Sequence, residues 1–124
     1  MGSLILSIDI GNTHTDFGLI DLDTMACRSH VTVPTRACSE ECEGALHKSL
    51  GGLSPASLQT IVICSVVKLF SQTIERTCRR CAPGARIVQA RFDERLPLRF
   101  DYENTAMLGI DRIADCLYGY VLFP

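Results

Sequence analysis

An α/β fold with a mixed sheet is predicted by three observations. Thr60 to Val67 (TIVICSVV) is β-branched and apolar throughout, as a strand covered on both faces must be. Three short strand-like runs with tight turns fill the first third of the chain, and two later stretches carry apolar residues at helical spacing. With 124 residues, 47% of them hydrophobic and 21% charged, the chain has the composition of one compact domain. Surface scaling leaves about two thirds of the unfolded chain's surface to be buried on folding, enough for one core.

The elements follow in order. Ser3 to Ile10 (SLILSIDI) is too short for a buried helix and is closed by Gly11-Asn12, so it reads as a central strand. Asp16 to Asp21 reads as a second strand, Asp23-Thr24 as a turn, and Cys27 to Val33 alternates as a third, giving an antiparallel meander. From Ser39, Cys42, Ala45, Leu46 and Leu50 mark one face of a helix that Gly51-Gly52 ends, with Glu40 and Glu41 suiting its positive N-terminus. Ser54-Pro55 reads as a cap and first position of a short helical turn. After the Thr60 to Val67 strand, Phe70, Ile74, Cys78 and Cys81 share a helix face stopped by Pro83-Gly84, and Arg86 to Ala90 forms a further strand. Asp93 to Asn104 reads mostly as loop with Leu98 to Phe100 extended, and Gly109 precedes a helix with Ile110, Ile113, Ala114, Leu117 and Val121 on one face. The order βββ-α-β-α-β-α, with helices packed outside the sheet, is the ribonuclease-H-like arrangement.

Charge and hydropathy narrow the function. Fourteen acidic and 12 basic residues give a net charge of -2, and no Lys/Arg run is longer than Arg79-Arg80, so nucleic acid is not an expected partner. The Leu4 to Ile10 run is broken by Ser7 and Asp9, far short of a membrane span, and no membrane partner is expected. Seven cysteines, an odd number without an export signal, point to the reducing cytoplasm.

Two segments carry candidate chemistry. Asp9-Ile10-Gly11-Asn12-Thr13-His14-Thr15 is a strand ending in a carboxylate that feeds a donor-rich turn, a shape suited to phosphate. Gly11 would allow close backbone approach, Asn12, Thr13 and Thr15 would add side-chain donors, and a partly desolvated Asp9 would call for a cation. An ordinary hairpin turn capped by Asn and Thr has the same spacing. Gly109-Ile110-Asp111-Arg112 opens a helix; Asp111 reads as a cap or as an acceptor of a substrate proton, and Arg112 as a surface charge or a carboxylate grip.

Together these segments make the chain resemble the type III pantothenate kinases, members of the acetate and sugar kinase, Hsp70 and actin superfamily. Asp9 to Leu19 reads DIGNTHTDFGL against the family's D-[IV]-G-N-T-x-T-x-x-G-L, and Ile61 to Val67 reads IVICSVV against V-I-S-S-V-V. Phe100 to Ala114 reads FDYENTAMLGIDRIA against an R-Y-x-N-P segment followed by G-x-D-R. The resemblance implies ATP-dependent phosphorylation of pantothenate in coenzyme A synthesis. It implies that Asp9 helps hold the Mg2+ of MgATP and that Gly11, Asn12 and Thr13 form a phosphate loop. Asp111 would be the general base, with Tyr102, Gly109 and Arg112 on pantothenate. It further implies a monovalent cation, K+ or NH4+, and a homodimer. Such a kinase works by positioning and charge neutralisation.

The chain departs from the family pattern at Thr105, where a proline is usual, and at Asp101, where a basic residue often precedes the tyrosine. No D-x-G-T segment follows, although the family's second domain opens on one. Residues 1–124 therefore read as a single domain, the N-terminal half of a two-domain kinase whose second domain is absent. A non-catalytic fragment or binding domain of the same fold is the alternative. A metal-dependent nuclease of that fold fits less well, because Ser65-Val66-Val67 brings no acid to the fourth strand. Cys38-x3-Cys42 and Cys78-x2-Cys81 place two thiols each on one helix face, where packing is favoured over zinc; Cys64 and Cys116 read as core, and His14 as a solvent-facing turn residue.

Overall fold

The computed structural model describes residues 4–24 and 26–90. Five strands and two helices are laid out as β1 (Leu4–Ile10), β2 (His14–Asp21), β3 (Ala26–Pro34), α1 (Ser39–Ser49), β4 (Thr60–Ser65), α2 (Lys68–Cys81) and β5 (Arg86–Ala90), with a 3-10 turn at Pro55–Ser57. They make one mixed sheet in the order β3-β2-β1-β4-β5, with β1 antiparallel to β2 and parallel to β4. The meander, the parallel strands and the outer helices agree with the α/β architecture expected. The extended segment at Leu98 to Phe100, the helix after Gly109 and Cys116 lie outside the described residues.

Strand β1 is central because its side chains are apolar on both faces. Leu6, Ile8 and Ile10 point toward the helices, where they meet Phe17 and Leu19 of β2 and Ile61 and Ile63 of β4. Helix α1 adds Cys42, Ala45 and Leu46 to this layer, and α2 adds Phe70, Ile74 and Cys78. On the other face Ile5, Ile20, Val62 and Cys64 form a smaller cluster. Every residue from Ile61 to Cys64 is buried, as the unbroken apolar run requires. Strand β3, at one end of the sheet, alternates exposed and half-buried residues and carries Arg28, His30 and Thr32, a polar edge that discourages further pairing.

Local chemistry sets the boundaries. Strand β2 begins at His14, two residues before the expected Asp16, because the turn is tight: the Gly11 N–H donates to the His14 carbonyl at 2.9 Å. Strand β4 stops at Ser65, short of Val67. The Val67 N–H donates to the Ser65 hydroxyl at 3.0 Å, and this turn swings the chain into α2. Helix α1 has Glu40 and Glu41 in its first turn and His47 and Lys48 in its last, all favourable to its dipole. It ends at Gly51 and Gly52, both with positive φ (59° and 94°), which a side chain would strain. Ser54 caps the 3-10 turn, accepting from the Ala56 N–H at 3.2 Å.

One of the two cysteine pairs does not sit as expected. Cys42 and Cys78 are buried where α1 meets α2 and half-buried Cys81 packs against the same core, as expected of that pair, but Cys38 is exposed just before α1, so the Cys38–Cys42 pair does not lie on one apolar face. Cys38 falls before the first helical residue, where no face is yet defined. Burial above all pushes the Cys42 thiol up to about 11 and that of Cys78 up to about 12, so both stay protonated and pack as small hydrophobes.

Three outcomes follow from this packing. Leu46→Ala, which empties a fully buried position between sheet and helix, costs about 2–5 kcal/mol in urea unfolding. The Ser7 hydroxyl is fully buried and makes no hydrogen bond among the described residues, so Ser7→Ala leaves stability unchanged or raises it. Burial pushes the Asp21 carboxyl up, but the Asp23 N–H and the Arg28 guanidinium, 2.6 Å away, outweigh it and hold the group below its ordinary value. A lowered folded-state pKa stabilises above the unfolded value and ceases to do so as pH falls through the folded one. Arg28→Ala therefore destabilises at neutral pH, and the difference from the parent closes as the pH falls through the lowered folded-state value of Asp21, in unfolding curves taken across pH.

Candidate functional site

Three connections meet at one end of the sheet. Strands β1 and β4 run parallel, so the β1–β2 turn and the β4–α2 link leave from the same end, and β3 finishes there too because His14 pairs with Pro34. Open α/β sheets place ligands outside the carboxyl ends of their parallel strands, at the point where neighbouring connections diverge. A cleft of about 620 Å³ opens there, lined by Asn12 of the first turn, Arg36 and Ala37 after β3, and the stretch from Val66 to Phe70 with Thr73.

The walls are fixed by a threonine that the sequence reading did not single out. The Thr35 hydroxyl donates to the Gly11 carbonyl at 2.8 Å and lies 3.0 Å from the Thr15 hydroxyl, while the Thr35 N–H donates to the Thr13 carbonyl at 2.9 Å. One residue thus ties the end of β3 to both sides of the β1–β2 turn. Across the cleft, the Val66 N–H donates to the Ile10 carbonyl at 3.1 Å and pins the start of α2 to β1. The next residue after the threonine, Arg36, has φ of 73°, the left-handed region that a long side chain adopts only at a cost.

Electrostatics favour an anion in this cleft. Arg36 and Lys68 are exposed on its walls, and neither forms a hydrogen bond or ion pair among the described residues. Lys68 is the first residue of α2, whose first turn holds no acidic residue, so a cation adds to the positive end of the helix dipole. The N–H groups of Asn12 and Thr13 have no partner among the described residues either, and both residues are exposed. Two cations, an amide side chain and open main-chain donors suit an oxyanion such as a phosphate. Val66 and Leu69, 60% and 79% exposed, add apolar surface beside them.

The expected residues divide between two faces. Asn12 lines the cleft, and Thr13 stands beside it on the same turn. Gly11 is buried, its φ is not positive, and its N–H is spent on His14, so it shapes the turn rather than offering a donor. His14 is exposed, as expected, but stands at the first position of β2 and not in the turn. Asp9 is only 4% exposed and belongs to the sheet face away from α1 and α2. There it pairs across strands with Asp16, a carboxylate that sequence reading had placed only as the start of a strand. Asp16 accepts from the Thr32 hydroxyl at 2.6 Å and lies 2.9 Å from the His30 ring, both on β3. Directly opposed like charges repel, and an all-oxygen pair at a strand end is a donor set for a hard divalent cation. The cue was available in the alternation of β2, which puts Asp16 on the face of Asp9 once the hairpin register is known. Tyr102, Gly109, Asp111 and Arg112 lie outside the described residues.

These features define an α/β domain with a cation-lined cleft at the carboxyl ends of its central parallel strands. A family model for type III pantothenate kinases matches residues 5–124, and the chain belongs to that family. It is similar to the type III pantothenate kinase of Syntrophotalea carbinolica, 28% identical over 120 residues, and to that of Acidothermus cellulolyticus, 29% identical over 120 residues. That of Anaeromyxobacter sp. strain K is 32% identical over 122 residues. These alignments cover 94%, 96% and 94% of this chain and 46%, 47% and 46% of the relatives, so the chain spans about half the length of the curated relatives it matches.

Replacing Arg36 with glycine separates strain from charge. Arg36→Gly removes the left-handed side chain and raises stability by about 1 kcal/mol, read from the unfolding midpoint. The same variant weakens protection by inorganic phosphate or polyphosphate in thermal unfolding, because a cleft cation is gone.

Proposed function

We propose that this chain serves the ATP-dependent phosphorylation of pantothenate to 4'-phosphopantothenate in coenzyme A synthesis, as part of a cytoplasmic homodimer. The observation that carries the reading is the family match over residues 5–124 together with a cation-lined cleft beside the Asp9 to Thr15 turn. Among the described residues no helix is long and apolar enough to cross a membrane. The domain is read as ribonuclease-H-like, half of a two-domain kinase.

In this reading the N–H groups and side chains of Asn12 and Thr13 hold the terminal phosphates of ATP, and Arg36 and Lys68 neutralise charge that builds on them. Asp9 holds Mg2+, directly or through its water shell, with Asp16 close enough to strengthen the negative field; bound Mg2+ would shield the transferring phosphoryl group. The buried oxygen pair fits such a hard ion, which takes few protein ligands and keeps water or phosphate oxygens for the rest. Asp111 accepts the proton of the primary hydroxyl of pantothenate as that oxygen attacks the γ-phosphorus in line. Arg112, Tyr102 and Gly109 hold the pantothenate, the guanidinium gripping its carboxylate. A K+ or NH4+ ion completes the set the family implies. No covalent enzyme intermediate is needed, since positioning and charge neutralisation supply the rate.

Because the chain spans about half of its relatives, a domain that binds these ligands without turning them over is the second reading. Thermal unfolding with pantothenate and with MgATP, alongside a phosphoryl-transfer assay, distinguishes the two. Under the kinase reading Asp111→Asn lowers turnover by about 10²–10⁴ while the shift produced by pantothenate persists. Equal turnover in parent and variant removes Asp111 as the base, and ligand shifts with no transfer in the parent favour the binding domain.

A further inference from the structure

A second side-chain cluster lies on the outer side of the helix pair, away from the phosphate cleft. Glu43 and His47 are four residues apart on α1 and so share one face, with the His47 Nε2 3.9 Å from a Glu43 carboxylate oxygen. Cys81, the last residue of α2, brings its thiol to the same place. One ligand atom from each, an oxygen, a nitrogen and a sulfur, all lie within 4.8 Å of one another. Among the described residues this is the one group of three potential metal ligands so close, and the four thiols of the two Cys pairs do not make one.

We propose that Glu43, His47 and Cys81 form a binding site for a divalent transition-metal ion of the zinc type, with the fourth position open to water. Zinc bond lengths of about 2.0–2.3 Å in a tetrahedron put ligand atoms roughly 3.3–3.7 Å apart, so atoms now within 4.8 Å of one another draw in by about 1.5 Å at most. Rotations of partly exposed side chains supply that movement. The backbones stay in place because Cys42, Ala45 and Leu46 of α1 and Ile74 and Cys78 of α2 share the same buried core. An outer contact already orients the carboxylate: the Arg80 guanidinium donates to the other Glu43 oxygen at 3.0 Å. Such second contacts fix ligating groups in direction. Thiolate and imidazole select zinc or cobalt over the hard ions that suit the Asp9 end of the sheet. Binding releases the thiol proton to water, and the thiolate and carboxylate together balance the charge of the ion.

Cobalt(II) tests the site in the intact chain kept reduced with a non-thiol reductant. The expected spectrum has the strong visible bands of four-coordinate cobalt and a near-ultraviolet thiolate-to-cobalt band, both discharged by about one equivalent of zinc. Cys81→Ser removes the near-ultraviolet band, and His47→Gln, which keeps the bulk of the side chain, weakens cobalt binding by about tenfold or more. Cys27→Ser, on the exposed edge strand, changes neither. Retention of the thiolate band in Cys81→Ser, unchanged affinity in His47→Gln, or a purely six-coordinate spectrum in the parent overturns the proposal. Circular dichroism of each variant confirms that the helices remain, so loss of a band reports the ligand and not the fold.

Discussion

The direction of β1 relative to its two neighbours is the constraint on which the rest depends. With β2 antiparallel on one side and β4 parallel on the other, the carboxyl end of β1 is also where β2 starts, β3 finishes and β4 hands over to α2. Buried backbone polar groups at that end need partners, and these concentrate on Thr35 and Val66, which bond the loops to β1 and to its turn. The cleft is what remains between loops that are each tied down.

That arrangement also explains why charge gathers on one side and carboxylates on the other. A strand's side chains alternate between faces, so Ile10 goes to the core under the helices while Asp9 turns to the opposite face, beside Asp16 and Cys64. The helix side of the same strand end receives the positive pole of α2 with Lys68, and Arg36 across from it. Complementary fields, one for an anion and one for a cation, thus lie within a few residues of one strand terminus. The phosphoryl transfer proposed for this chain would need both, because a phosphate and its metal must be held together.

The helix pair has a separate logic. Helices α1 and α2 are locked to the sheet by a shared core, yet their outer sides are free to carry charge, as the Arg79–Glu75 and Arg80–Glu43 pairs do. Exposed pairs of this kind add little to stability. Their value lies in orientation: by holding one carboxylate oxygen, Arg80 leaves the other facing His47 and Cys81.

Much of this was readable from residue order. The apolar run of β4, the helical spacing of α1 and α2, the glycine stop after Leu50 and the cap at Ser54 are all local, because propensity, alternation and capping act over a few residues. The turn after Asp9 and the family motifs around it were legible for the same reason. What the sequence did not disclose was partnership at a distance: Thr35 closing on Gly11 from 24 residues away, Asp16 standing opposite Asp9, Cys38 falling outside the helix face, and Cys81 meeting Glu43 and His47. These depend on strand register and on how two helices dock. One-residue changes in either would send the same side chains to other neighbours, so only the folded chain could decide them.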